Sequence, residues 1–375
     1  KEVAGRLLKA VGTSGTVARL GGDEFAIIQT GVGDNGLARS MAERVIAAIR
    51  EPVLIEHRKV RIGASIGVTL APADAETVEQ LLKCADLAMY RAKREGKDCV
   101  RFFRSEMQVS ARISVLLEID LRQAVEQGDL RMFYQPQVDV QSREVIGVEA
   151  LLRWQRAGHG LVTPSSFLSL AEDTGLIVSI DQWALQEACR QAAAWSDEGH
   201  PVRVAVNVSS KTFKAGSVRS LVMDALRSAG LPPTLLELEL TESTLMEDHH
   251  AIRAELHALR ALGVRVAIDD FGTGYSSLSY LQSLPVDRLK IDGSFVHRLG
   301  KSPSGAAIVT AVAGIGRSLG MDVLAEGVET LAQLQQVKAA GCHSVQGYLF
   351  SPAVVPSNLR DMLISGAIRS WGISA

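Results

Sequence analysis

The chain has 375 residues, of which 47% are hydrophobic and 22% are charged, proportions that are typical of folded globular domains. They exclude a largely disordered chain, because burial of this much apolar surface offsets the conformational entropy that folding costs. The 40 lysines and arginines nearly balance 42 acidic residues, and the net charge of -2 disfavours a general affinity for DNA, RNA or anionic lipid.

The first part of the chain alternates helix and strand signals, and we expect residues 1–104 to form one domain. A Gly-Gly turn that leads into an apolar run indicates a β-hairpin. The predicted elements, in chain order, are an amphipathic helix at Lys1–Ala10, the hairpin Leu20–Ile28, helix Ala38–Arg50, strand Val60–Leu70 and helix Val78–Glu95, which ends before Gly96.

Apolar residues then recur at helical spacing over Ser105–Gly128, which predicts a long helix. We expect this helix to join two domains and to open the second of them. The predicted organisation is therefore a linker at 105–118 and a second domain at 119–375.

From about residue 130 onward, eight short apolar runs recur, with helical segments between most of them. Strands that alternate with helices indicate a parallel sheet, and eight of them in roughly 240 residues predict a (β/α)8 barrel. The first two runs are separated only by residues 140–143, too few for a parallel crossover, so we expect an antiparallel first strand. The runs are Met132–Asp139, Glu144–Leu151, Val202–Val208, Leu235–Thr241, Arg265–Asp270, Arg288–Asp292, Asp322–Gly327 and Ser344–Phe350.

Seven of these runs end in, or lead into, a polar side chain. Because the carboxyl ends of barrel strands converge on one mouth, where active sites are built, we expect these side chains to lie together. Several carboxylates at one rim repel one another without a cation, and oxygen ligands without Cys or His are typical of Mg²⁺ or Mn²⁺. The polar residues are Glu149, Asn207, Glu239, the pair Asp269 and Asp270, Lys290, Glu326 and Gln346.

The adjacent carboxylates of Asp269 and Asp270 could bridge two ions or divide between them. Two metal ions roughly 3.5–4 Å apart suit an in-line displacement at phosphorus, because they stabilise the entering and the leaving oxygen. In such a site, Lys290 and Glu326 would orient or deprotonate the attacking water.

Eight short motifs surround these residues in order along residues 112–365. They are Tyr134-Gln135-Pro136, Glu149-Ala150-Leu151 with Leu152-Arg153, Asn207-Val208-Ser209, Glu239-Leu240-Thr241-Glu242, Asp269-Asp270-Phe271-Gly272-Thr273-Gly274, Leu289-Lys290-Ile291-Asp292, Ala325-Glu326-Gly327-Val328-Glu329 and Gln346-Gly347-Tyr348. Together they resemble the signature of the EAL-domain phosphodiesterases, which hydrolyse cyclic di-GMP to the linear dinucleotide pGpG.

The resemblance implies a role for each matching residue. Two divalent ions, Mg²⁺ or Mn²⁺, would be bound by Glu149, Asn207, Glu239, Asp269 and Asp270. The residues implied in catalysis are Lys290, Glu326 and Glu149. The residues implied in substrate binding are Gln135, Leu151, Arg153 and Gln346. A regulatory loop that couples dimer contacts to metal binding is implied for Glu242, Phe271, Gly272, Thr273 and Gly274.

The N-terminal part carries a second signature, which resembles the GGDEF domain of diguanylate cyclases. It comprises Gly21, Gly22, Asp23, Glu24 and Phe25. The resemblance implies that Asp23 is a metal ligand. Because the sequence starts after that family's first strand, a second metal-binding aspartate and the guanine-reading residues are missing. We therefore expect this truncated domain to be inactive or regulatory, and expect GTP to bind only to an intact domain.

Three functions are open at this point. The complete set of rim residues favours a cyclic di-GMP phosphodiesterase over a non-catalytic cyclic di-GMP sensor, which usually lacks several of the carboxylates. The third is diguanylate cyclase activity of a longer parent protein. The resemblance also implies a homodimer formed through the barrel.

Localisation is predicted from two further features. The four cysteines lack CxxC spacing, which indicates reduced thiols in a cytoplasmic protein, and no run approaches the roughly 20 apolar residues of a membrane span. The sequence starts at Lys1 and not at Met. We therefore expect a longer protein, in which an upstream domain could supply a membrane tether.

Overall fold

The computed structural model divides into two units, residues 1–117 and 118–375. It describes residues 1–32, 35–55, 58–214, 216, 218–245, 249–272, 281–301 and 303–366. Within these ranges, no helix is both long enough and apolar enough to cross a membrane.

The N-terminal unit contains the predicted hairpin. Its strands pair antiparallel on either side of a turn at Gly22 and Asp23. Gly22 has a φ of +49°, a left-handed conformation that glycine adopts without the steric cost of a Cβ. The strands of this unit are β1 (Gly15–Gly21), β2 (Glu24–Gln29), β3 (Val53–Ile55), β4 (Arg58–Val60), β5 (Ile66–Val68) and β6 (Val100–Phe102).

Three helices confirm the predicted helical segments of this unit. They span Glu2–Val11, Asn35–Arg50 and Val78–Arg94. The first two pack together through Leu7, Val11, Met41 and Val45, all of which are buried. Periodic apolar spacing therefore identified the faces that form this core.

The single strand predicted over Val60–Leu70 is wrong. Strand β4 pairs antiparallel with β3, whereas β5 pairs parallel with β6, and the residues between β4 and β5 are not in a strand. In this connection, Ala64 donates its backbone N–H to the carboxylate of Asp98 at 3.1 Å instead of to a strand neighbour. A distant side chain, which local sequence does not reveal, therefore interrupts the strand.

The second unit is a closed eight-stranded barrel. Every neighbouring pair of barrel strands is parallel, except that β7 is antiparallel to both β8 and β15, and pairing between β8 and β10 closes the cylinder. The strands, with the short hairpin partner β9, are β7 (Leu130–Asp139), β8 (Val145–Arg156), β9 (Gly160–Val162), β10 (Arg203–Asn207), β11 (Leu236–Thr241), β12 (Arg265–Phe271), β13 (Arg288–Ile291), β14 (Asp322–Ala325) and β15 (Ser344–Val345). This confirms the predicted barrel and its antiparallel first strand, whereas β9 was not predicted.

Helices surround the barrel, and its main core lies between them and the strands. Alternate strand residues, among them Val148, Val204, Leu238 and Val266, belong to this core. The side chains at the intervening positions face the barrel interior, and many of them are polar. The described helices from the linker onward are Ser105–Gln127, Leu168–Thr174, Ile177–Asp197, Ser210–Lys214, Val218–Ala229, Glu242–Leu245, His249–Ala261, Gly293–Val296, Pro303–Ser318, Leu331–Ala340 and Pro356–Ser365.

Candidate active site

The polar residues predicted at the strand ends converge at one end of the barrel. Lys290, on β13, lies at their centre and has no exposed surface. Its Nζ lies 2.7 Å from Glu239 Oε2, 2.7 Å from Glu326 Oε1, 3.2 Å from Asp269 Oδ1 and 3.6 Å from Glu149 Oε2. One ammonium therefore faces four carboxylates, and negative charge exceeds positive charge at this end of the barrel.

Two side-chain amides orient the buried carboxylates. Asn207 Nδ2 donates to Glu149 Oε1 at 2.9 Å and to Glu239 Oε2 at 3.2 Å. Gln346 Nε2 donates to Glu149 Oε2 at 2.5 Å and to Gln135 Oε1 at 2.9 Å. Both oxygens of Glu149 are thus fixed by hydrogen bonds, one from Asn207 on the neighbouring strand β10 and one from Gln346, which follows β15.

A β-bulge brings the adjacent residues Asp269 and Asp270 to the same site. The register between β12 and β13 shifts after Ile268, and Asp270 has a φ of +54°, which is uncommon for a residue other than glycine. A bulge redirects a side chain that would otherwise point to the opposite face of the strand. One carboxylate oxygen each from Asp269, Asp270 and Glu326 consequently lies within 4.8 Å of the others.

Burial and charge control ionisation in this cluster. Burial lowers the pKa of Lys290, but the charges of Asp269 and the other carboxylates outweigh it and raise that pKa well above its ordinary value. Burial also opposes ionisation of Glu149, but Lys290 and the two amide hydrogen bonds outweigh it and lower the pKa of Glu149.

Other carboxyl groups shift in the opposite direction. Burial, with the charge of Glu149, raises the pKa of Glu239 well above its ordinary value. Burial raises the pKa of Glu326 to about 8, and burial with the charge of Asp269 raises the pKa of Asp270 to about 6. These raised pKa values mean that binding of a cation or of protons stabilises the cluster.

The donor set fits divalent cations. One oxygen each from Glu149, Glu239 and Asp269 forms a second group within 4.8 Å, and Glu239 Oε1 is buried without a hydrogen-bond partner. A buried oxygen without a partner costs free energy, and a bound ion relieves that cost. Carboxylate and amide oxygens are the ligands that Mg²⁺ and Mn²⁺ prefer.

Residues predicted to contact substrate lie next to this cluster. Gln135 on β7 pairs with Glu149 on β8, and Leu151 and Arg153 follow Glu149 on the same face of β8. The Arg153 guanidinium donates to the carbonyl of Leu152 at 2.7 Å and lies 5.7 Å from the ring centroid of Phe133. Burial lowers the pKa of Arg153. Arg153 forms no described ion pair with the carboxylate cluster.

Part of the predicted regulatory loop is also visible. Glu242 is buried directly after β11 and accepts a hydrogen bond at 3.0 Å from the backbone N–H of Gly272, which follows the buried Phe271. Thr273 and Gly274 lie outside the described residues. This hydrogen bond links the ends of β11 and β12. The regulatory role of the loop stays a prediction.

Comparisons with known families agree with this architecture. Residues 118–353 match the EAL domain family, and residues 1–99 match the family described as diguanylate cyclase, GGDEF domain. The chain belongs to the EAL domain family. Its EAL barrel therefore follows a GGDEF segment, as the two signatures indicated.

Two curated relatives align with most of the chain. The bifunctional diguanylate cyclase/cyclic di-GMP phosphodiesterase MucR of Pseudomonas aeruginosa is 46% identical over 93% of this chain and 51% of its own length. The cyclic di-GMP phosphodiesterase NbdA of the same species is 39% identical over 97% of this chain and 46% of its own length. The chain thus spans about half the length of these relatives.

Solved structures resemble the EAL barrel. The PaMucR phosphodiesterase in complex with c-di-GMP is 48% identical, with a TM-score of 0.64, over 65% of this chain and 99% of that chain. The EAL domain of Mycobacterium smegmatis DcpA is 34% identical, with a TM-score of 0.55, over 64% of this chain and 99% of that chain.

The GGDEF signature forms an exposed turn. Arg19 donates to the carbonyl of Gly22 at 2.6 and 3.0 Å, and Asp23 and Glu24 are exposed. Among the residues that the structure describes, Asp23 belongs to no group of three or more potential metal-binding side chains. The hairpin therefore retains its shape, but the structure does not bring Asp23 together with further ligands.

Sequence reasoning missed two sets of polar residues in the EAL barrel. Glu237 and Arg288 lie two positions before Glu239 and Lys290 on the same strands, and their 2.9 Å ion pair is buried inside the barrel. The signal available in the sequence was that charged residues occupy every second position of these strands, which places them on the same face. Asp181, a buried acid on the helix Ile177–Asp197, was also missed. Its signal was its position on the helix face that buries Ile177, Ala184 and Leu185.

Proposed function

We propose that this chain hydrolyses cyclic di-GMP to linear pGpG in a reaction that depends on Mg²⁺ or Mn²⁺. The observation that carries the proposal is the cluster around Lys290, in which the carboxylates of Glu149, Glu239, Asp269 and Glu326 all lie within 3.6 Å of its Nζ and negative charge is in excess. MucR and NbdA, whose names include cyclic di-GMP phosphodiesterase, support the choice of substrate.

The reaction consumes one water. Its oxygen forms a bond to phosphorus, the bond from phosphorus to the 3′ oxygen breaks, and the departing 3′ oxygen takes up a proton. The opened ring is pGpG with a terminal 5′ phosphate. The chemistry that two divalent cations supply when bound is Lewis-acid polarisation of the phosphodiester and a lower pKa for the attacking water.

The chain's own residues bind and orient the reactants. Glu149, Asn207, Glu239, Asp269 and Asp270 would bind the ions. Lys290 orients the attacking water and neutralises neighbouring carboxylates, and Glu326, 2.7 Å from Lys290, would accept the proton of that water once bound cations favour its ionised form. Arg153 offers a planar guanidinium to a phosphate oxygen, and Gln135, Leu151 and Gln346 border the bound nucleotide.

A chromatographic assay of the purified chain with cyclic di-GMP tests the proposal. We expect pGpG to appear with Mg²⁺ or Mn²⁺ and not with a chelator. Glu149→Ala and Lys290→Ala should remove turnover while retaining the circular dichroism spectrum of the wild type. Wild-type rates in either variant would reject the assigned roles.

The second candidate function is a cyclic di-GMP sensor without catalysis. Calorimetric binding of cyclic di-GMP with Mg²⁺ or Mn²⁺ present, but without pGpG formation, would favour it. Repeating the assay on residues 105–375 would then separate a true sensor from a barrel that the N-terminal unit inhibits. The complete set of carboxylates in the cluster favours the enzyme.

We divide the chain into a GGDEF-like domain at 1–104, a linker at 105–118 and the EAL domain at 119–375. The GGDEF-like part is inactive or regulatory, and GTP turnover is a property of an intact GGDEF domain alone. The protein is cytoplasmic and forms a homodimer through the barrel, with Glu242 and the segment after Asp270 coupling the dimer contact to metal binding. Analytical ultracentrifugation tests the dimer.

A further inference from the structure

The turn after β10 donates hydrogen bonds to Asp181, an acidic residue on another helix of the EAL barrel. Strand β10 ends at Asn207, and the helix Ser210–Lys214 begins three residues later. Asp181, which lies in the helix Ile177–Asp197, is only 5% exposed and reaches this turn. None of the EAL signature motifs contains Asp181.

A single oxygen of Asp181 accepts three hydrogen bonds from the turn. The backbone N–H of Ser209 donates to Asp181 Oδ2 at 2.9 Å, the hydroxyl of Ser209 donates at 2.7 Å, and the hydroxyl of Thr212 donates at 2.6 Å. The two hydroxyl oxygens also lie 3.1 Å apart. Hydrogen bonds to a carboxylate are short and strong, so this arrangement fixes the backbone at Ser209, two residues after Asn207.

The orientation of the Asn207 side chain depends on the adjacent backbone more than the orientations of the neighbouring site residues do. Glu149, Glu239 and Lys290 are buried, and packing restricts their side chains, whereas Asn207 is exposed. Its amide must nevertheless face two glutamates at 2.9 and 3.2 Å. The conformation of the backbone that carries Asn207 therefore decides where its amide points.

We propose that Asp181 is a positioning residue for the cation site: its hydrogen bonds to Ser209 and Thr212 lock the turn that aims Asn207 at Glu149 and Glu239. The inference rests on the proposed metal-binding role of Asn207. Groups that orient metal ligands without touching the ion typically affect metal affinity by roughly 10–100-fold when they are mutated.

The test measures Mn²⁺ binding to the full chain by electron paramagnetic resonance, without substrate. Asp181→Ala should weaken Mn²⁺ binding by roughly 10–100-fold. Asp181→Asn keeps a carbonyl oxygen that accepts the Ser209 N–H, so it should restore most of the affinity. In the phosphodiesterase assay, Asp181→Ala should need more Mn²⁺ for half-maximal rate and should recover at saturating Mn²⁺.

A matched control separates positioning from a general loss of structure. Asp74, in the N-terminal unit, likewise accepts a backbone N–H, from Leu70 at 2.7 Å, and a hydroxyl, from Thr69 at 3.4 Å. Asp74→Ala should leave Mn²⁺ binding unchanged. If Asp181→Ala fails to fold, the double variant Ser209→Ala with Thr212→Val removes both hydroxyl donors, and it should weaken Mn²⁺ binding in the same direction.

The outcomes distinguish this inference from the proposed function. Wild-type Mn²⁺ affinity in folded Asp181→Ala, or in the double variant, would overturn the positioning role and leave the phosphodiesterase proposal intact. A wild-type chain that binds no Mn²⁺ would overturn the metal site itself, and the positioning role with it.

Discussion

Two polar layers lie inside the same barrel and differ in their charge balance. The upper layer is the cluster around Lys290 with Glu149, Glu239, Asp269 and Glu326. The lower layer contains Glu237 and Arg288, which lie two positions before Glu239 and Lys290 on the same strands. It also contains their register partners Arg265 and Asp322, and Gln137, which accepts a hydrogen bond from Arg288. Both layers interrupt an interior that apolar side chains usually fill in barrels of this class.

The lower layer is charge-paired. Arg288 donates to Gln137 Oε1 at 2.8 Å and to Glu237 Oε1 at 2.9 Å. Arg265 lies 3.3 Å from Glu237 Oε2 and 2.5 Å from Asp322. Every carboxylate in this layer has a guanidinium within ion-pair distance, so an added cation would meet no excess negative charge.

Burial alone does not identify an ion site. Lys290 and Arg288 are both buried among polar partners, but only Lys290 is outnumbered by carboxylates. Excess charge is what a bound cation compensates. We therefore infer that the lower layer stabilises the barrel and the upper layer performs chemistry.

The largest expected difference between the two layers is in turnover. Replacing Lys290 by Met should lower turnover by at least about 10²-fold, because the group that we propose to orient the attacking water is lost. Arg288→Met should retain turnover in its folded fraction. Initial rates of pGpG formation, normalised to folded protein, measure both, and equal losses in the two variants would contradict the division into layers.

In contrast to turnover, the free energy of unfolding should depend on the ion pairs of the lower layer. Arg288→Met leaves Glu237 with a single, longer ion-pair contact, and we expect the free energy of unfolding to fall by about 3–5 kcal/mol. The double variant Arg288→Met with Glu237→Leu should recover most of this loss, because no unpaired charge stays buried. Urea unfolding measures both values. A loss below about 1 kcal/mol in the single variant would speak against a stabilising lower layer.

Cation binding should stabilise the protein through the upper layer only. At 100 times its dissociation constant, Mn²⁺ should add about 2.7 kcal/mol to the free energy of unfolding. The gain should disappear in Glu239→Gln and persist in the double variant of the lower layer. Thermal unfolding with Mn²⁺ and with a chelator measures it; an equal gain in Glu239→Gln would place the ion elsewhere.

The smallest effect is expected at the rim of the lower layer. The side chain of Asp322 is 48% exposed, so Asp322→Ala should cost at most about 1 kcal/mol. Burial raises the pKa of Asp322, but the hydrogen bond and charge of Arg265 outweigh it and hold that pKa below its ordinary value of 3.8.

The lowered pKa of Asp322 determines how its contribution to the free energy of unfolding depends on pH. A lowered pKa in the folded protein gives stability that is present above the ordinary pKa and is lost as the pH falls through the folded value. The difference between wild type and Asp322→Ala should therefore exist at neutral pH and shrink below about pH 4. Urea unfolding at both pH values checks it, and a difference that grows on acidification would show the opposite sign.

Much of the fold and site was predictable from local sequence. Hydrophobic runs located all eight barrel strands, and the short segment 140–143 revealed the antiparallel first strand. The polar strand ends, such as Glu149, Asn207 and Lys290, predicted which side chains the structure brings together at one end of the barrel, because parallel strands bring their carboxyl ends together. The GGDEF hairpin was likewise visible in its Gly-Gly turn.

Other features depend on partners that are distant in sequence. The strand predicted over Val60–Leu70 is interrupted by Asp98, and the turn after Asn207 is fastened by Asp181. A carboxylate gives the same local signal whether it caps a turn, forms an ion pair or binds a cation. Its role therefore depends on which groups the fold places beside it.

The sequence by itself determined the eight-stranded barrel and the residue types at its mouth, because periodicity and strand ends are local properties. One oxygen of each glutamate, Glu239 Oε1 and Glu237 Oε2, is buried without a hydrogen bond. Only the tertiary structure decided that the carboxylate of Glu237 lies between two guanidinium groups, those of Arg265 and Arg288, whereas that of Glu239 lies among other carboxylates around Lys290. These two glutamates are separated by one residue and have the same chemistry. The strands packed around each glutamate set its charge environment, and that environment separates a binding site from a structural ion pair.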